Sequence, residues 1–379
     1  MPTVVDLFAG AGGLSLGASR AGFNVGAAVE IDPHAMATHT LNFPNTVHIQ
    51  DDITKLTGPD ILARANLRPE DLIGIIGGPP CQGFSSIGHG NVDDIRNALF
   101  VKFFEIVADL QPAFFVAENV PGIMKEKYQE IRSEAFRHIQ NYTLLPPIAI
   151  NASEYGAPTT RTRYFFIGYR DCERIVPFGK DDIEKKKILS ENRTTVGKAL
   201  KGLPADIRYT STHKSYMQLC EDFFDDEGSL QSDFFFSRVT SVVPENVGNE
   251  DYIQEYQNKH IVNGCIPTKH SPKVRARFSK LQYNEQDVIS KAKRLDPNGY
   301  CPTLRAGTGP EKGSYQAVRP IHYKYNRVIT PREAARLQGF PDWFKLPETI
   351  WHSFRQIGNS VSPIVAEQVL DAIYQKLIL

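Results

Sequence analysis

Over residues 1–170 the chain alternates short apolar runs with segments of helical spacing. "TVVDLF" leads into "GGLSLGASRAG", "FNVGAAVEID" into "PHAMATHTLNF", and "LIGIIGG" and "AFFVAENV" flank "NALFVKFFEIVADL". The runs are apolar almost throughout rather than at every second position, the pattern of strands buried on both faces. Strands in this rhythm with helices predict an α/β domain built on a doubly wound, mostly parallel sheet. Residues 171–326 lose the rhythm: "KDDIEKKK", the acidic "EDFFDDE", the aromatic "SDFFFS" and a basic run read as a smaller inserted lobe. From residue 327 helical spacing returns in "ITPREAARLQGF", opened by Thr330-Pro331, and "SPIVAEQVLDAIYQKLIL" reads as an amphipathic terminal helix. The first strand begins near residue 3 with no helix ahead of it, while a doubly wound sheet is covered on both faces. The terminal helix is therefore expected to return to the first domain and fill that gap.

Composition narrows this only a little. A chain of 379 residues, 41% hydrophobic and 23% charged, is globular and long enough for one large domain and a smaller one. Lys+Arg and Asp+Glu both total 43, so net charge gives no sign of a polyanionic partner. The distribution is uneven. Between Lys259 and Arg305 ten basic residues face three acidic ones, either a solvated face or, with Lys273, Arg275 and Arg277 as the candidates, a surface for phosphate contact. The five cysteines show no pairing or metal-binding spacing, so neither disulfides nor a structural metal is expected. The start "MPTVVDLFAG" has no basic leader and no run of about 18 apolar residues follows. The expectation is a cytoplasmic protein with no membrane span.

Four stretches carry candidate chemistry. In "DLFAGAGGLSLG" a strand runs through Gly10 and Gly12 into a helix, which brings bare backbone and a helix start to a ligand. The dinucleotide pattern fails because Ser15 stands where its third glycine belongs. With Glu30 about 20 residues on and Asp52 after the next strand, the arrangement suits a nucleoside without pyrophosphate, S-adenosylmethionine first among them. The plainer reading is tight packing for the glycines and helix capping for the acids. In "GGPPCQGFSS" Pro79 and Pro80 stiffen a loop that holds Cys81 at the carboxyl edge of the sheet, as a nucleophile or else as a small buried hydrophobe. "VAENVPG" puts Glu118 at the same edge, either as a turn residue or as a carboxyl able to give a proton to a ring nitrogen. In "TTRTRYFFIGY" Arg161 and Arg163 share one face of a strand start, as surface ion pairs or as an anchor for a carbonyl-rich ligand.

"DLFAGAGGLSLG", "VEIDPHA", "GGPPCQGFS", "ENVPG", "RTRYFFIG" and "RVITPREAARLQGFPD" with "QIGNSVSP" follow one another in an order and spacing that resemble the DNA (cytosine-5) methyltransferases, bacterial or phage. The match covers residues 3 to about 170 and 327–379. The resemblance implies a methyltransferase fold with an inserted DNA-recognition lobe, and methyl transfer from S-adenosylmethionine to carbon 5 of a flipped-out cytosine through a covalent Cys81 adduct. Glu118 would steady ring nitrogen N3, and Arg163 with Arg161 would hold the carbonyl side. Phe8, Gly10, Gly12, Glu30, Ile31, Asp52, Pro80 and Asn359 would line the cofactor pocket. The loop Ser85–Asn97 would close over the base, with Ser85 touching substrate. Double-stranded DNA is the implied partner of a monomeric, nucleoid-associated enzyme from a restriction-modification system, or an orphan or phage equivalent. A cognate endonuclease would act on the same site without a stable complex. One residue departs from the family: Thr159 stands where glutamine is usual. A tRNA cytosine-5 methyltransferase resembles the same blocks, but the sizeable middle lobe favours DNA. A catalytically silent DNA binder is disfavoured by the full set of candidate catalytic residues, and a nicotinamide oxidoreductase would account for the glycine loop alone.

Overall fold

The computed structural model describes residues 1–80, 98–204, 207, 215–220, 223, 227–307 and 318–378, with 227–229 by backbone alone. Its centre is a sheet of β1 (Thr3–Leu7), β2 (Asn24–Val29), β3 (Val47–Ile49), β4 (Leu72–Gly77), β5 (Phe114–Asn119), β6 (Tyr142–Leu144), β7 (Ile148–Asn151) and β8 (Thr162–Arg170). The order is β3-β2-β1-β4-β5-β8-β6, with β7 also pairing β8. The first five strands are parallel, and β8 runs antiparallel to β5, β6 and β7. The sequence pattern does not separate this antiparallel end from the rest. The short link from β7 to β8 does, because a parallel return needs a crossover of a dozen residues or more.

Helices α1 (Gly13–Arg20), α2 (Pro33–Asn42), α3 (Gly58–Ala65), α4 (Ala98–Leu110) and α5 (Gln129–Arg137) connect these strands. The middle of the chain holds α6 (Lys180–Glu184), α7 (Val196–Ala199), α8 (Glu227–Ser232), α9 (Phe234–Phe236), α10 (Glu250–Lys259) and α11 (Pro272–Phe278), with the two-residue strands β9 (Met217–Gln218) and β10 (Ile261–Val262). Last come α12 (Pro331–Gln338), α13 (Ile350–Asn359) and α14 (Pro363–Tyr374). Helix α14 lies on α1, and Val4, Leu14 and Leu16 join Val365, Val369 and Ile373 in one apolar cluster beside β1. A Cβ added at Gly17 would sit 2.3 Å from that of Ala366, so only glycine lets the two helices approach this closely. Val196, Phe235 and Val262 from the middle of the chain belong to the same cluster, whereas Phe278, Ala292, Ile321 and Val328 form a small core of their own.

Helix α12 is buried on every side. Thr330 caps it with Glu333 in a reciprocal box. Its two arginines survive burial because each is engaged. Arg332 donates to Asn263 O, Asn263 Oδ1, Pro341 O and Phe344 O, and Arg336 donates to Asp342 Oδ1 at 3.0 Å. Arg327, ahead of the helix, meets Glu333 through two bonds of 2.8 and 2.7 Å. A helical spacing alone does not foretell this.

A buried polar chain crosses the first layer. Ser15 Oγ donates to Asp6 Oδ2 at 2.6 Å and lies 3.0 Å from His39 Nε2, and His39 Nδ1 lies 2.9 Å from His48 Nε2. Burial pushes the Asp6 carboxyl up to about 7, and burial followed by the His48 charge holds His39 well below its usual range. Above the ordinary Asp value and below the ordinary His value, the unfolded pair carries its one proton on histidine, and the folded pair carries it on aspartate. Proton number then does not change on folding, so the pair adds no pH dependence to stability. His39→Asn removes the compensation, and the native state then holds one proton more than the unfolded chain. Relative to wild type, unfolding free energy is expected to fall with rising pH by about 1.4 kcal/mol per unit between roughly pH 5 and 6.5. Urea titrations across that window test it, and parallel pH profiles for the two proteins would refute it.

Candidate active site

At the end of β1 the chain turns through Phe8, Gly10 and Gly12 at φ 61°, 58° and 97°. Holding Phe8 in the left-handed region costs on the order of 1 kcal/mol, and the loop then leads directly into α1. A Cβ placed on Gly10 would meet nothing within 4 Å, so the loop backbone borders open space. Glu30, just past β2, spans the loop: Oε2 accepts from Gly10 N at 2.9 Å and Oε1 from Asp32 N at 2.8 Å. Burial raises its pKa against those two N–H groups. Beside it Ile31 leaves 63% of its surface exposed. Asp52 caps the Ile53–Lys55 turn, with Oδ1 accepting from Thr54 Oγ1 at 2.8 Å and Thr54 N at 3.0 Å, which holds its carboxyl below the usual range.

Helix α13 docks on this rim. Gln356 Nε2 donates to His34 O at 2.9 Å, Arg355 pairs with Asp32 at 3.2 Å, and the His34 and His352 rings lie 3.8 Å apart. Asn359, the last residue of α13, is thereby carried from the far end of the chain toward the first helix: a Cβ added at Gly13 would lie 2.1 Å from Ser360 Oγ and 2.2 Å from Val361 O, the two residues that follow Asn359. An open glycine loop, an anchored carboxylate acceptor and an exposed apolar side chain thus lie along one rim, a combination able to hydrogen-bond hydroxyl groups and cover a flat ring.

The second cluster is at the carboxyl ends of β4 and β5. Glu118, the penultimate residue of β5, is buried, and its Oε1 lies 3.0 Å from Arg163 Nε on β8. Burial pushes the carboxyl pKa up, with Arg163 and then Arg161 pulling the other way. Next to it the buried Asn119 donates through Nδ2 to Pro79 O at 3.3 Å, clamping the Pro79-Pro80 segment to β5. Cys81 directly follows Pro80, and it, Ser85 and the Ser85–Asn97 loop lie outside the described residues. Arg161 is 3% exposed. It donates to Gly358 O at 2.9 Å, Leu304 O at 3.3 Å and Asn359 O at 3.4 Å. Both arginines border one small cavity with Phe165 and Val361, yet Arg163 faces Glu118 while Arg161 ties the foot of β8 to the end of α13. A cation at a helix C-terminus meets unpaired carbonyls and the negative end of the dipole, which explains the division.

Residues 2–375 match the family of C-5 cytosine-specific DNA methylases. The chain belongs to that family. This methylase is 36% identical to the Type II methyltransferase M.XorII of Xanthomonas oryzae pv. oryzae, over 99% of this chain and 85% of that one. It is 31% identical to the Type II methyltransferase M.DdeI of Desulfomicrobium norvegicum, over 98% and 88%. Among solved structures, a prophage-encoded E. coli chain assigned as a DNA modification methyltransferase superposes with a TM-score of 0.86 at 47% identity, over 99% of each chain. The S. pombe Dnmt2 methyltransferase shares the fold, with a TM-score of 0.62 at 18% identity over 99% of each chain. The protein is a DNA cytosine-5 methyltransferase with the mostly parallel sheet expected from the sequence.

In this methylase Thr159, in the position where glutamine is usual, is buried and donates from Oγ1 to Cys301 O at 3.0 Å. That bond, with Thr160 N to Cys301 O at 2.9 Å, fastens the approach to β8 onto the middle of the chain. Lys273 and Arg275 on α11 are exposed, while Arg277 on the same helix pairs with the buried Asp287 at 2.5 Å. Arg294, counted in the basic run, is also spent inside the protein, donating to Phe278 O, His322 O, Tyr323 O and Asn326 Oδ1. Sequence reasoning does not assign Asn119 its clamp on Pro79. Its signal is a hydrogen-bonding side chain directly after Glu118 at the end of an apolar strand. Among the described residues no helix is long and apolar enough to cross a membrane.

Proposed function

We propose that this methyltransferase moves a methyl group from S-adenosylmethionine to carbon 5 of a cytosine flipped out of duplex DNA, through a covalent adduct at Cys81. The observation that carries the reading is the pairing of buried Glu118 with half-buried Arg163, beside the clamped Pro79-Pro80 segment that leads into Cys81. Carbon 5 of cytosine is too weak a nucleophile for direct attack on a methyl sulfonium. Addition of the Cys81 thiolate to carbon 6 pushes the ring electrons toward carbon 5. Glu118, whose carboxyl pKa burial raises, hydrogen-bonds N3 as charge builds there, and Arg163 holds the neighbouring carbonyl. Carbon 5 then takes the methyl group as the donor's S–CH3 bond breaks and S-adenosylhomocysteine is released; the carbon-5 proton passes to a base such as water, and the thiolate leaves carbon 6. Carbon 6 is inaccessible within a stacked duplex, which is why the base must be extruded.

S-adenosylmethionine supplies the electrophilic methyl group. Phe8, Gly10, Gly12, Glu30, Ile31, Asp52, Pro80 and Asn359 are the residues to hold it, with Glu30 toward the ribose hydroxyls and Ile31 toward the adenine. Glu30→Ala is expected to weaken cofactor binding by about tenfold or more, because both the ribose acceptor and the clamp on Gly10 are lost. Calorimetry with S-adenosylmethionine tests it, and an unchanged affinity would displace the ribose from Glu30. Arg161 acts on the reaction from behind, by holding β8 against α13.

Residues 171–326 are proposed as the DNA-recognition region, with Lys273 and Arg275 on phosphates, and Ser85 on substrate. Arg277 supports rather than contacts, since Asp287 already holds it. The similarity to Type II methyltransferases supports a modification enzyme of a restriction-modification system, or an orphan or phage equivalent. A monomer is proposed because one flipped base needs one pocket. Any cognate endonuclease would share its site without forming a stable complex. The deciding experiment is methyl transfer from labelled S-adenosylmethionine to duplex DNA and, separately, to tRNA, followed by nucleoside mass spectrometry. 5-Methylcytosine in DNA alone is expected, and label confined to tRNA would overturn the reading.

A further inference from the structure

Val288 and Ile289 are 75% and 68% exposed, the two most exposed large apolar side chains among the described residues, and they are neighbours at the tip of a turn. Single exposed apolar residues need no explanation. Here two stand together on a support that is unusually well fastened. Lys291 N donates to Asp287 O and Asp287 N to Ala292 O, closing the turn at 2.9 and 2.8 Å. The Asp287 carboxylate, buried beneath it, accepts from Ser290 N at 2.7 Å, Ser290 Oγ at 2.6 Å and both Nε and an Nη of Arg277. Gln286 Nε2 adds a bond to Lys291 O at 2.8 Å. The tip is held rigid while its two apolar side chains face outward.

The surroundings say what it meets. Between residues 271 and 295 the exposed charges are Lys273, Arg275, Lys280, Lys291 and Lys293 against the single carboxylate of Glu285. The same arm continues through Leu295, bonded to Ile321, to Cys301, which is bonded to Thr159 and Thr160 just ahead of Arg161. The tip is thus braced against the strand that carries Arg163. We propose that Val288 and Ile289 form an apolar wedge that this enzyme presses against the bases of duplex DNA, between cations that grip the flanking phosphates. The proposal rests on the reading of the middle region as the DNA-recognition lobe. Phosphates and sugars offer little to a valine and an isoleucine, whereas ring faces and the thymine methyl group are apolar surface. A tip already ordered in the free protein loses little conformational freedom on insertion.

The test compares two double variants of the full chain, Val288→Ser/Ile289→Ser and Lys273→Ala/Arg275→Ala, on a duplex fragment that the wild type methylates. All four side chains are in solvent and outside the catalytic cluster. For the serine variant, duplex affinity and kcat/KM are expected to fall about tenfold or more. Its melting temperature, its affinity for S-adenosylmethionine and its slope of log Kd against log salt are expected to match wild type. For the alanine variant the salt slope should drop by about two. If the serine variant binds and methylates as wild type while the alanine variant is weakened, the wedge is wrong and the lobe reading stands. If neither variant alters DNA binding, both fall. A serine variant that loses salt slope or melts early also overturns the wedge, because its effect would then come through charge or folding.

Discussion

Cys81→Ser is expected to keep DNA and S-adenosylmethionine binding while losing methyl transfer by roughly three orders of magnitude or more. A serine hydroxyl is barely ionised near neutral pH, whereas a thiol needs only a modest shift to supply thiolate. Nothing in the clamp that leads to position 81 depends on the sulfur: Asn119 holds Pro79 by its backbone carbonyl, and Glu118 is positioned by β5 and Arg163. The loss should therefore fall on kcat and leave both binding constants close to wild type. Single-turnover methylation with labelled cofactor, alongside fluorescence anisotropy for DNA, separates the two. Near-normal turnover in the serine variant would end the covalent mechanism.

Asp342→Ala is expected to be the most destabilising single change considered, by about 3–5 kcal/mol. Arg336 and Asp342 pair with side chains at 0% exposure on both partners. Arg336 Nε donates to Asp342 Oδ1 at 3.0 Å, and the second nitrogen meets Oδ2. Among the described residues, removing the carboxylate leaves the buried guanidinium with the carbonyls of Ala199 and Lys201 as hydrogen-bond partners and the Phe223 ring 5.5 Å away. Those two residues belong to the middle of the chain, so the damage reaches from α12 into the region proposed to recognise DNA. The double replacement Arg336→Met/Asp342→Leu should recover much of the lost stability, since it removes the charge along with its partner. Urea unfolding of the three proteins measures this. A loss below about 1 kcal/mol for Asp342→Ala would mean that water reaches the guanidinium.

By itself the sequence determined the parallel strands β1, β2, β4 and β5, the helices α1, α2 and α4, the opening of α12 at Thr330-Pro331, and the blocks that place the chain among the cytosine-5 methylases. These are local signals. Apolar runs, helical spacing and proline or glycine punctuation act over a few residues and need no partner to be read. The antiparallel end of the sheet, the all-round burial of "PREAARLQ" and the separate tasks of Arg161 and Arg163 were decided only in three dimensions. The two arginines show the reason. They are two positions apart with the same charge, yet one meets the carboxylate of a neighbouring strand and the other the carbonyls ending a helix nearly 200 residues later. Arg277 is the same case: its charge suggested phosphate, but a buried aspartate ten residues on had already claimed it. A charge can be counted along a chain, but whether it is free to meet a ligand depends on which partners folding brings within hydrogen-bond reach.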